Sequence, residues 1–214
     1  MTKNNKYYLK CRKWGNSLDS LSDWFLALQQ CPKCGHKWVD VKYYKNINEL
    51  KPLLSNGSIK PENLFYYFDF LPVLNRENIV SVGEGVIPID RWGFLEKFAK
   101  ERYGIECQVL AYRNDLNQGT STFKDVAGAM AATVLKELGI KNYVVASTGN
   151  IANAFAYYLA KAGINLSVFI PVEALKANEA EAGSYGQRVF RVQGDYAFAK
   201  KIAAAYTQKN GFLM

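Results

Sequence analysis

The sequence predicts an α/β protein, with a parallel sheet covered by helices on both faces and a small cysteine-bearing unit in front. Two observations carry this prediction. From Val109 onward, short apolar β-like runs alternate with helical patterns. Repeated β-α-β units of this kind require right-handed crossovers, which place their strands in one parallel sheet. Near the amino terminus, two short cysteine-containing frames mark a unit of different chemistry.

Composition limits the classes of protein to which the chain could belong. Its 214 residues are 49% hydrophobic and 21% charged, which suits a globular chain with its own core. No apolar run reaches transmembrane length and the polar start lacks the apolar segment of a signal peptide, so we expect a cytoplasmic protein and no membrane partner. The net charge is +8, but the basic residues are scattered. Scattered charge favours anionic small molecules over nucleic acid.

Residues 1–45 form the cysteine-bearing unit. Cys31 and Cys34 lie in a CxxCG turn, which directs two thiolates to one point and is half of a tetrahedral zinc site. The upstream frame begins at Cys11 and has Trp14 where another cysteine would complete the site. The 16 residues between the two frames fall in the zinc-ribbon range of roughly 15 to 20.

The unit is therefore predicted to be a degenerate zinc ribbon. Its candidate ligands are Cys11, Cys31, Cys34 and His36. The alternative is a metal-free unit packed on Trp14, Trp24 and Trp38.

Residues 46–62 connect this unit to the body, with turn formers from Ser55 to Ser58. The aromatic run from Phe65 to Phe70 is expected to be core or a docking surface and not a ligand cage. Gly83-Glu84-Gly85 forms a flexible turn around one carboxylate, and a helix is predicted from Asp90 to Tyr103. Cys107 is expected to be a buried thiol and not a disulfide partner.

The alternating part of the chain begins with a β-like run at Val109 to Tyr112. Later strands are predicted at Tyr143 to Ala146, Leu166 to Ile170 and Arg188 to Val192. Helices are predicted at Phe123 to Leu138, Ile151 to Ala162, Ala174 to Ala182 and Tyr196 to Lys209. The apolar stripe of the first helix is predicted to consist of Ala127, Met130, Val134, Leu135 and Leu138.

The stretch from Asn114 to Asp125 reads NDLNQGTSTFKD and contains one lysine, Lys124, at a helix start. The positive helix N-terminus and the desolvating ring of Phe123 both disfavour an ammonium group. A neutral amine can attack an aldehyde to form a Schiff base. The alternative is a solvated surface lysine.

A second stretch, Ser147-Thr148-Gly149-Asn150, follows a predicted strand and precedes a predicted helix. Free N–H groups, hydroxyls and a glycine make such a turn a receptor for a carboxylate or phosphate. The Asn150 amide can bind a phenolate or hydroxyl. The alternative is an ordinary capped helix start.

Together these two stretches resemble the fold type II pyridoxal-phosphate enzymes, most closely the threonine synthases. The segments from Leu64 to Pro72 and from Ile79 to Gly85 agree in order, and the likeness covers the chain from about Leu64 onward. The resemblance implies a tryptophan synthase β-like, three-layer fold, incomplete in this chain. Residues 46–124 would belong to the larger pyridoxal-phosphate domain and residues 125–210 to the smaller α/β domain. A homodimer is the quaternary structure considered.

The resemblance also implies a set of site residues. Lys124 would hold pyridoxal 5'-phosphate as a Schiff base and then transfer protons, and Phe123 and Asn150 would contact the cofactor. The amino-acid substrate would be bound by Ser147, Thr148, Gly149 and Glu84. The implied reaction converts O-phosphohomoserine to threonine by phosphate elimination and water addition.

Two departures from the family pattern qualify this reading. The segment from Asn117 to Thr122 carries one additional residue and lacks the usual proline. The glycines after Asn150 are single, with no cluster to wrap a phosphate. We therefore expect an amino-terminal portion of a longer enzyme, or a gene product cut short, that holds the cofactor weakly or not at all. Two alternatives stay open: a dehydratase or β-replacement enzyme similar to cysteate synthase, and a catalytically silent interaction module.

Overall fold

The computed structural model describes residues 6–49, 51–52 and 61–214. The turn predicted between Ser55 and Ser58 lies outside these ranges. Strands are labelled β1 to β8 and α-helices α1 to α6 in chain order. None of the helices in the described ranges is both long and apolar enough to cross a membrane.

The amino-terminal unit is a three-stranded antiparallel sheet with one short helix. Its elements are β1 (Tyr7–Cys11), β2 (Ser17–Leu18), α1 (Leu21–Leu26) and β3 (Val39–Tyr43), with β1 in the centre. The side chains of Tyr7, Leu9 and Trp24 are buried between sheet and helix and form a small core. Helix α1 begins at the Ser20 cap, whose side chain accepts a hydrogen bond from the Asp23 N–H.

This unit docks on a 3₁₀ helix formed by Leu64–Phe70. The Lys45 ammonium lies 2.8 Å from the Asp69 carboxylate, and Lys6 Nζ lies 3.3 Å from the centroid of the Phe68 ring. Phe65 and Phe68 are buried in the main core, and Phe68 and Asp69 also contact the amino-terminal unit, so the aromatic run serves as core and as docking surface.

The next part of the chain differs from prediction. Strand β4 (Ile89–Arg91) pairs antiparallel with β5 (Leu110–Tyr112), and α2 (Gly93–Tyr103) lies between them in sequence. The predicted run at 109–112 is thus a strand, but it does not join the parallel sheet. The predicted helix starts later than Asp90, because Asp90 belongs to β4 and pairs with Ala111 of β5. Cys107 is exposed, so its predicted burial is wrong.

The remainder is the predicted α/β body. Its elements are α3 (Lys124–Glu137), β6 (Asn142–Ala146), α4 (Asn150–Lys161), β7 (Asn165–Pro171), α5 (Lys176–Ser184), β8 (Arg188–Val192) and α6 (Tyr196–Asn210). The strands form a parallel sheet in the order β6-β7-β8. Leu213 adds a parallel bridge to Tyr143 beside β6.

Helices cover both faces of this sheet. Leu166, Val168 and Ile170 of β7 belong to a core that includes residues of α3 and α4. Phe169 points to the opposite face, where it shares a second core with Ala203 of α6. Successive side chains of β7 are thus buried on opposite faces of the sheet. A strand buried on both faces is expected only between two helical layers, so the layered α/β arrangement is confirmed.

The buried face of α3 differs from the predicted stripe. Ala127 is exposed, whereas Gly128, Ala129, Ala132 and Leu135 are buried. The small residues Gly128, Ala129 and Ala132 face α4. A Cβ atom on Gly128 would lie 2.8 Å from Tyr158 Cδ2. The close approach of the two helices therefore selects small side chains where periodicity alone suggested larger apolar ones.

Candidate active site

Lys124 is the first residue of α3 and is half-buried. Its backbone N–H donates to Thr122 Oγ1 at 3.1 Å. Its Nζ lies 4.1 Å from the centroid of the Phe123 ring, and that ring is 58% exposed. The Lys124 amine thus lies over the face of an exposed ring, and Phe123 does not enclose it in an apolar pocket.

Hydrogen bonds to the Asp125 side chain hold the lysine loop, which is defined as residues 118–123. This side chain is fully buried, and its Oδ1 accepts hydrogen bonds from Thr120 N at 2.9 Å and Thr120 Oγ1 at 2.8 Å. Its Oδ2 accepts from Thr122 N at 2.9 Å. Three donors satisfy the buried carboxylate, and the loop on the amino side of Lys124 is fixed by the residue on its carboxyl side.

The additional residue of this loop is accommodated by unusual backbone angles. Gly119 has φ +114°, and Ser121 has φ +58° although it carries a side chain. Positive φ is uncommon for a residue other than glycine and is found disproportionately in functional loops. The loop is therefore shaped by two left-handed positions just before the lysine.

Asn117 joins the lysine loop to the Gly83–Gly85 turn. The residue is 3% exposed, its Oδ1 accepts from Gly85 N at 2.9 Å, and its Nδ2 donates to Thr122 O at 2.7 Å. Sequence reasoning treated Asn117 only as a landmark of the loop. The signal available in the sequence was a polar side chain that lies, along the chain, between the turn at Gly83–Gly85 and the loop at Gly119.

Glu84 is fully buried. Its carboxylate accepts from Ser81 Oγ at 2.9 and 3.1 Å, from Val82 N at 2.8 Å and from Tyr158 Oη at 3.1 Å. The predicted contact between Glu84 and the substrate stays a prediction. Its burial and its four donor contacts favour a role in fixing the loops.

The second predicted stretch lies at the carboxyl end of β6, as expected for ligand-binding turns in parallel sheets. Thr148 and the α4 N-terminal residue Asn150 are exposed, whereas Ser147 is 8% exposed. Gly149 N donates weakly to Ser147 Oγ at 3.4 Å. The side chains of Thr148 and Asn150 are thus exposed to a ligand, whereas the Ser147 N–H donates to Phe169 O at 3.2 Å. The predicted contacts of these four residues stay predictions.

A set of polar residues missed in the sequence supports this turn. Asn178 of α5 donates from Nδ2 to Thr148 O at 2.8 Å. Asn153 donates from Nδ2 to Glu181 and to Asn178 Oδ1. Within the described ranges, Asn153 Oδ1 is buried with no hydrogen-bond partner. The substrate-side turn is therefore tied to a second helix through amide side chains.

The two predicted stretches are connected through the packing of α3 against α4. Lys124 begins one helix and Asn150 begins the other. A Cβ atom on Gly128 would lie 3.0 Å from Ala154 O as well as 2.8 Å from Tyr158 Cδ2. This close contact fixes the relative positions of the two helix starts.

The structure also brings three predicted metal ligands together. The Sγ atoms of Cys11, Cys31 and Cys34 all lie within 4.8 Å of one another, and that group does not include His36. Gly15 N donates to Cys11 O at 2.9 Å and Gly35 N to Cys31 O at 2.7 Å, so the two frames form the same turn. Burial alone would raise the pKa of Cys31, but hydrogen bonds from the Lys33 and Cys34 backbone lower it.

The tryptophan alternative for this unit is only partly correct. Trp24 is buried, but Trp14 is 69% exposed and Trp38 is 66% exposed. Those two indole rings do not form a core. The thiol cluster keeps its converging geometry without them.

Sequence similarity to known proteins extends over the same regions. Residues 80–214 match the sequence model of the family described as pyridoxal-phosphate dependent enzyme. The threonine synthase of Methanocaldococcus jannaschii is 30% identical over 184 residues, which cover 79% of this chain and 44% of that protein. That of Halalkalibacterium halodurans is 33% identical over 144 residues, covering 67% of this chain and 39% of that protein. The chain thus spans less than half the length of these relatives.

Solved structures share the fold. A cysteine synthase from Entamoeba histolytica aligns with TM-score 0.54 and 16% identity over 61% of this chain and 40% of that chain. The apo form of Escherichia coli diaminopropionate ammonia lyase aligns with TM-score 0.53 and 16% identity over 63% of this chain and 40% of that chain. These alignments place the α/β body in the fold type II group.

Proposed function

Because the chain belongs to the family of pyridoxal-phosphate-dependent enzymes, we propose that it carries the reactive lysine and the substrate turn of a threonine synthase-like lyase. The observation that carries the proposal is the rigid setting of Lys124. Asn117 and Asp125 fix the loop before the lysine through buried hydrogen bonds. Catalytic groups need such fixed positions, because orientation supplies a large part of the rate enhancement.

The residues of the site suit the proposed cofactor. Lys124 supplies an amine, Asn150 an exposed amide, and the turn from Ser147 to Gly149 supplies hydroxyls beside a helix N-terminus. An aldehyde, a phenolate oxygen and a carboxylate are the groups that such donors recognise. The donor set therefore matches pyridoxal 5'-phosphate carrying an amino-acid substrate.

Each residue then has a defined task. Lys124 would hold the cofactor through its aldehyde and would then move a proton at the substrate carbon. Asn150 and Phe123 would contact the cofactor ring, and the Ser147–Gly149 turn would hold the substrate carboxylate. The cofactor, when bound, supplies the electron sink.

We further propose that another polypeptide segment completes the body and supplies the phosphate-binding loop. Large apolar side chains of β4, α2 and β5 are solvent-exposed. They include Ile89 at 61%, Phe94 at 66%, Leu110 at 57% and Tyr112 at 55%. Helix α2 has no buried residue among those described. Apolar surface of this extent marks an interaction site, and a two-stranded sheet is marginally stable by itself.

The proposed substrate is a phosphorylated amino acid, with O-phosphohomoserine converted to threonine. The net charge of +8 favours such an anion, and the similar proteins named above are threonine synthases. A β-replacement enzyme of the same fold, similar to cysteate synthase, is the second candidate. The left-handed Ser121 in the lengthened loop favours it, because this loop would face a different side chain.

The amino-terminal unit is proposed to bind zinc through Cys11, Cys31 and Cys34. Three converging thiols supply most of a tetrahedral thiolate site, and His36 could complete it only by moving toward the cluster. The proposed organisation keeps the unit at 1–45, the larger-domain segment at 46–124 and the smaller domain at 125–210. We also propose a cytoplasmic location and a homodimer.

The zinc proposal predicts about one zinc ion per chain, the stoichiometry of a single structural site. Cys11→Ser should lose the metal, and Cys107→Ser is the matched control because its thiol is exposed and outside the cluster. Metal content of the purified variants, measured by plasma mass spectrometry, checks this. Equal zinc content in Cys11→Ser and the parent would contradict it.

The reaction is tested on the longest natural polypeptide that carries this sequence, supplied with pyridoxal phosphate. Release of phosphate from O-phosphohomoserine with matching formation of threonine supports the proposed activity, and Lys124→Ala should abolish both. Turnover of a serine derivative with a sulfur nucleophile, without threonine formation, would establish the second candidate instead.

A further inference from the structure

Tyr158 contacts two loops of the candidate site from within the core. The residue is fully buried, and its Oη lies 3.1 Å from Glu84 Oε2 and 3.2 Å from Gln118 O. Glu84 belongs to the glycine-flanked turn and Gln118 begins the lysine loop. Tyr158 itself lies in α4, the helix that starts at Asn150. One hydroxyl therefore meets both loops from the helix that follows the substrate turn.

The hydroxyl acts as the donor in these contacts. Burial, followed by the negative charges of Glu84 and Asp125, raises the pKa of Tyr158 above its ordinary value. The phenol therefore keeps its hydrogen, which is shared between a carboxylate and a carbonyl oxygen. A buried carboxylate without this donor would lose one of its hydrogen bonds, which is costly inside a protein.

Packing leaves the phenol no alternative position. A Cβ atom on Gly119 would lie 2.7 Å from Tyr158 Oη and 2.6 Å from Asp125 Oδ1. On the other side, a Cβ atom on Gly128 would lie 2.8 Å from Tyr158 Cδ2. Glycine at both places lets the lysine loop and α3 approach the ring directly, so the loop conformation and the position of the ring depend on each other.

We propose that Tyr158, acting with Glu84, is a positioning residue for Lys124: a buried hydroxyl latch that sets the lysine loop and connects it to the helix of the substrate turn. This inference rests on the proposed function for its consequence at Lys124. The latch itself is a property of the protein without cofactor. Neither side chain touches the reacting atoms in this account, because both are fully buried.

The primary test is hydrogen–deuterium exchange on Tyr158→Phe without cofactor. The variant keeps the ring and removes only the hydroxyl, so the lysine loop loses one anchor. The amides of Thr120 and Thr122 should exchange roughly three- to tenfold faster, the change expected for one net hydrogen bond. Tyr157→Phe is the matched control, since it removes a hydroxyl from the adjacent, only partly buried residue of the same helix.

The location of the change separates positioning from general stability. Faster exchange confined to residues 118–123 supports the latch. An equal increase throughout α3 and α4 would mean that Tyr158 contributes only to the core, and unchanged exchange would mean that the hydroxyl does not hold the loop. Either of these two results overturns the proposal.

A second readout connects the latch with Lys124. The longest natural polypeptide that carries this sequence, as the parent and as each variant, is incubated with pyridoxal phosphate and reduced with borohydride, and the rate of labelling at Lys124 is followed by peptide mass spectrometry. Labelling should be slower in Tyr158→Phe and unchanged in Tyr157→Phe. If the parent chain gives no label at Lys124, the proposed function fails, and the exchange experiment still decides whether the latch exists.

Circular dichroism establishes whether Tyr158→Phe folds. If it does not, Glu84→Gln tests the same contact from the other side, because the amide keeps the size of the side chain but removes its charge. Localised faster exchange at Thr120 and Thr122 in that variant supports the latch, and parent-like exchange contradicts it.

Discussion

Gly119 stands where the lysine loop turns against two buried side chains. Its φ of +114° lies in a region that other residues rarely adopt, and an added Cβ would meet Asp125 and Tyr158 below 3 Å. Gly139 has a similar requirement, with φ +70°, but nothing lies within 4 Å of an added Cβ. The two positions therefore separate backbone strain from steric conflict with the loop anchors.

Gly119→Ala is expected to destabilise the protein by about 3 kcal/mol or more, because strain and overpacking add, whereas Gly139→Ala should cost about 1 kcal/mol. Urea denaturation of both variants gives the two free energies of unfolding. Equal costs for the two substitutions would show that the loop does not press on Asp125 and Tyr158.

A single amide contact supports the substrate turn. Asn178→Ala removes the donor to Thr148 O, so the backbone of the turn should become more mobile. Amide exchange at residues 147–150 is expected to rise roughly three- to tenfold, as for one net hydrogen bond. Asn165→Ala, whose exposed amide contacts Asn142, is the control and should leave the turn unchanged.

For individual residues, the sequence predicted the chemical character of a side chain better than the contacts that the side chain makes. The position of Lys124 at a helix start followed from neighbouring residues. The hydrogen bonds from Tyr158 to Glu84 and from Gly85 to Asn117 did not, since these partners are separated by 74 and 32 residues along the chain. The contact between Phe123 and Lys124 differs from prediction, because sequence gives the ring but neither its exposure nor the face that it presents.

Among the structural elements, the small sheet of the amino-terminal unit contains the buried Tyr7 and the partly buried Tyr43. Burial raises the pKa of Tyr7 to about 12, against an opposing hydrogen bond from Leu21, and burial also raises the pKa of Tyr43 to about 12. Both values exceed the ordinary 10.0 of an unfolded chain. Neutral phenols are thus favoured in the folded unit.

The sign of the pH dependence follows from this direction. Between about pH 10 and about pH 12 the folded unit holds more protons than the unfolded chain, so its stability is full below that window and is lost as the pH rises through it. Urea titrations across this window, followed by tryptophan fluorescence, should show a smaller loss in Tyr7→Phe than in the parent. Tyr44→Phe, at an exposed ring, should behave as the parent. Identical pH profiles for all three proteins would contradict the account.

The boundaries of α3, α4 and α6 and the three parallel strands followed closely from periodicity. The pairing of β5 did not. Strands β4 and β5 have three residues each, and so short a strand carries too little pattern to identify its partner. The burial on α3 was also shifted, because close packing against α4 requires Gly128 and small neighbours instead of a broad apolar stripe.

For the whole molecule, the exposed apolar side chains of residues 89–112 form the surface on which we propose that another polypeptide segment docks. Replacing Phe94 and Phe98, which are 66% and 55% exposed, by serine should reduce binding of a hydrophobic dye by roughly half. Leu175→Ser, at a 70% exposed residue of another surface, is the control. Unchanged dye binding in the double variant would show that this surface is not the main apolar one.

The sequence could predict the family-like arrangement of the molecule because motifs retain their order along the chain. It could not predict how the motifs are joined. The contacts of Asn117, Asp125 and Tyr158 hold the lysine loop together, and they arise only when the glycine-flanked turn, α3 and α4 come together.

Lys124 is proposed to be the amine that reacts with pyridoxal phosphate. The most direct measurement is peptide mass spectrometry of the longest natural polypeptide that carries this sequence, after incubation with the cofactor and reduction with borohydride. We predict a pyridoxyl label at Lys124 above that at other lysines, which is absent in Lys124→Ala. A label spread over the lysines without preference for Lys124 would contradict the account.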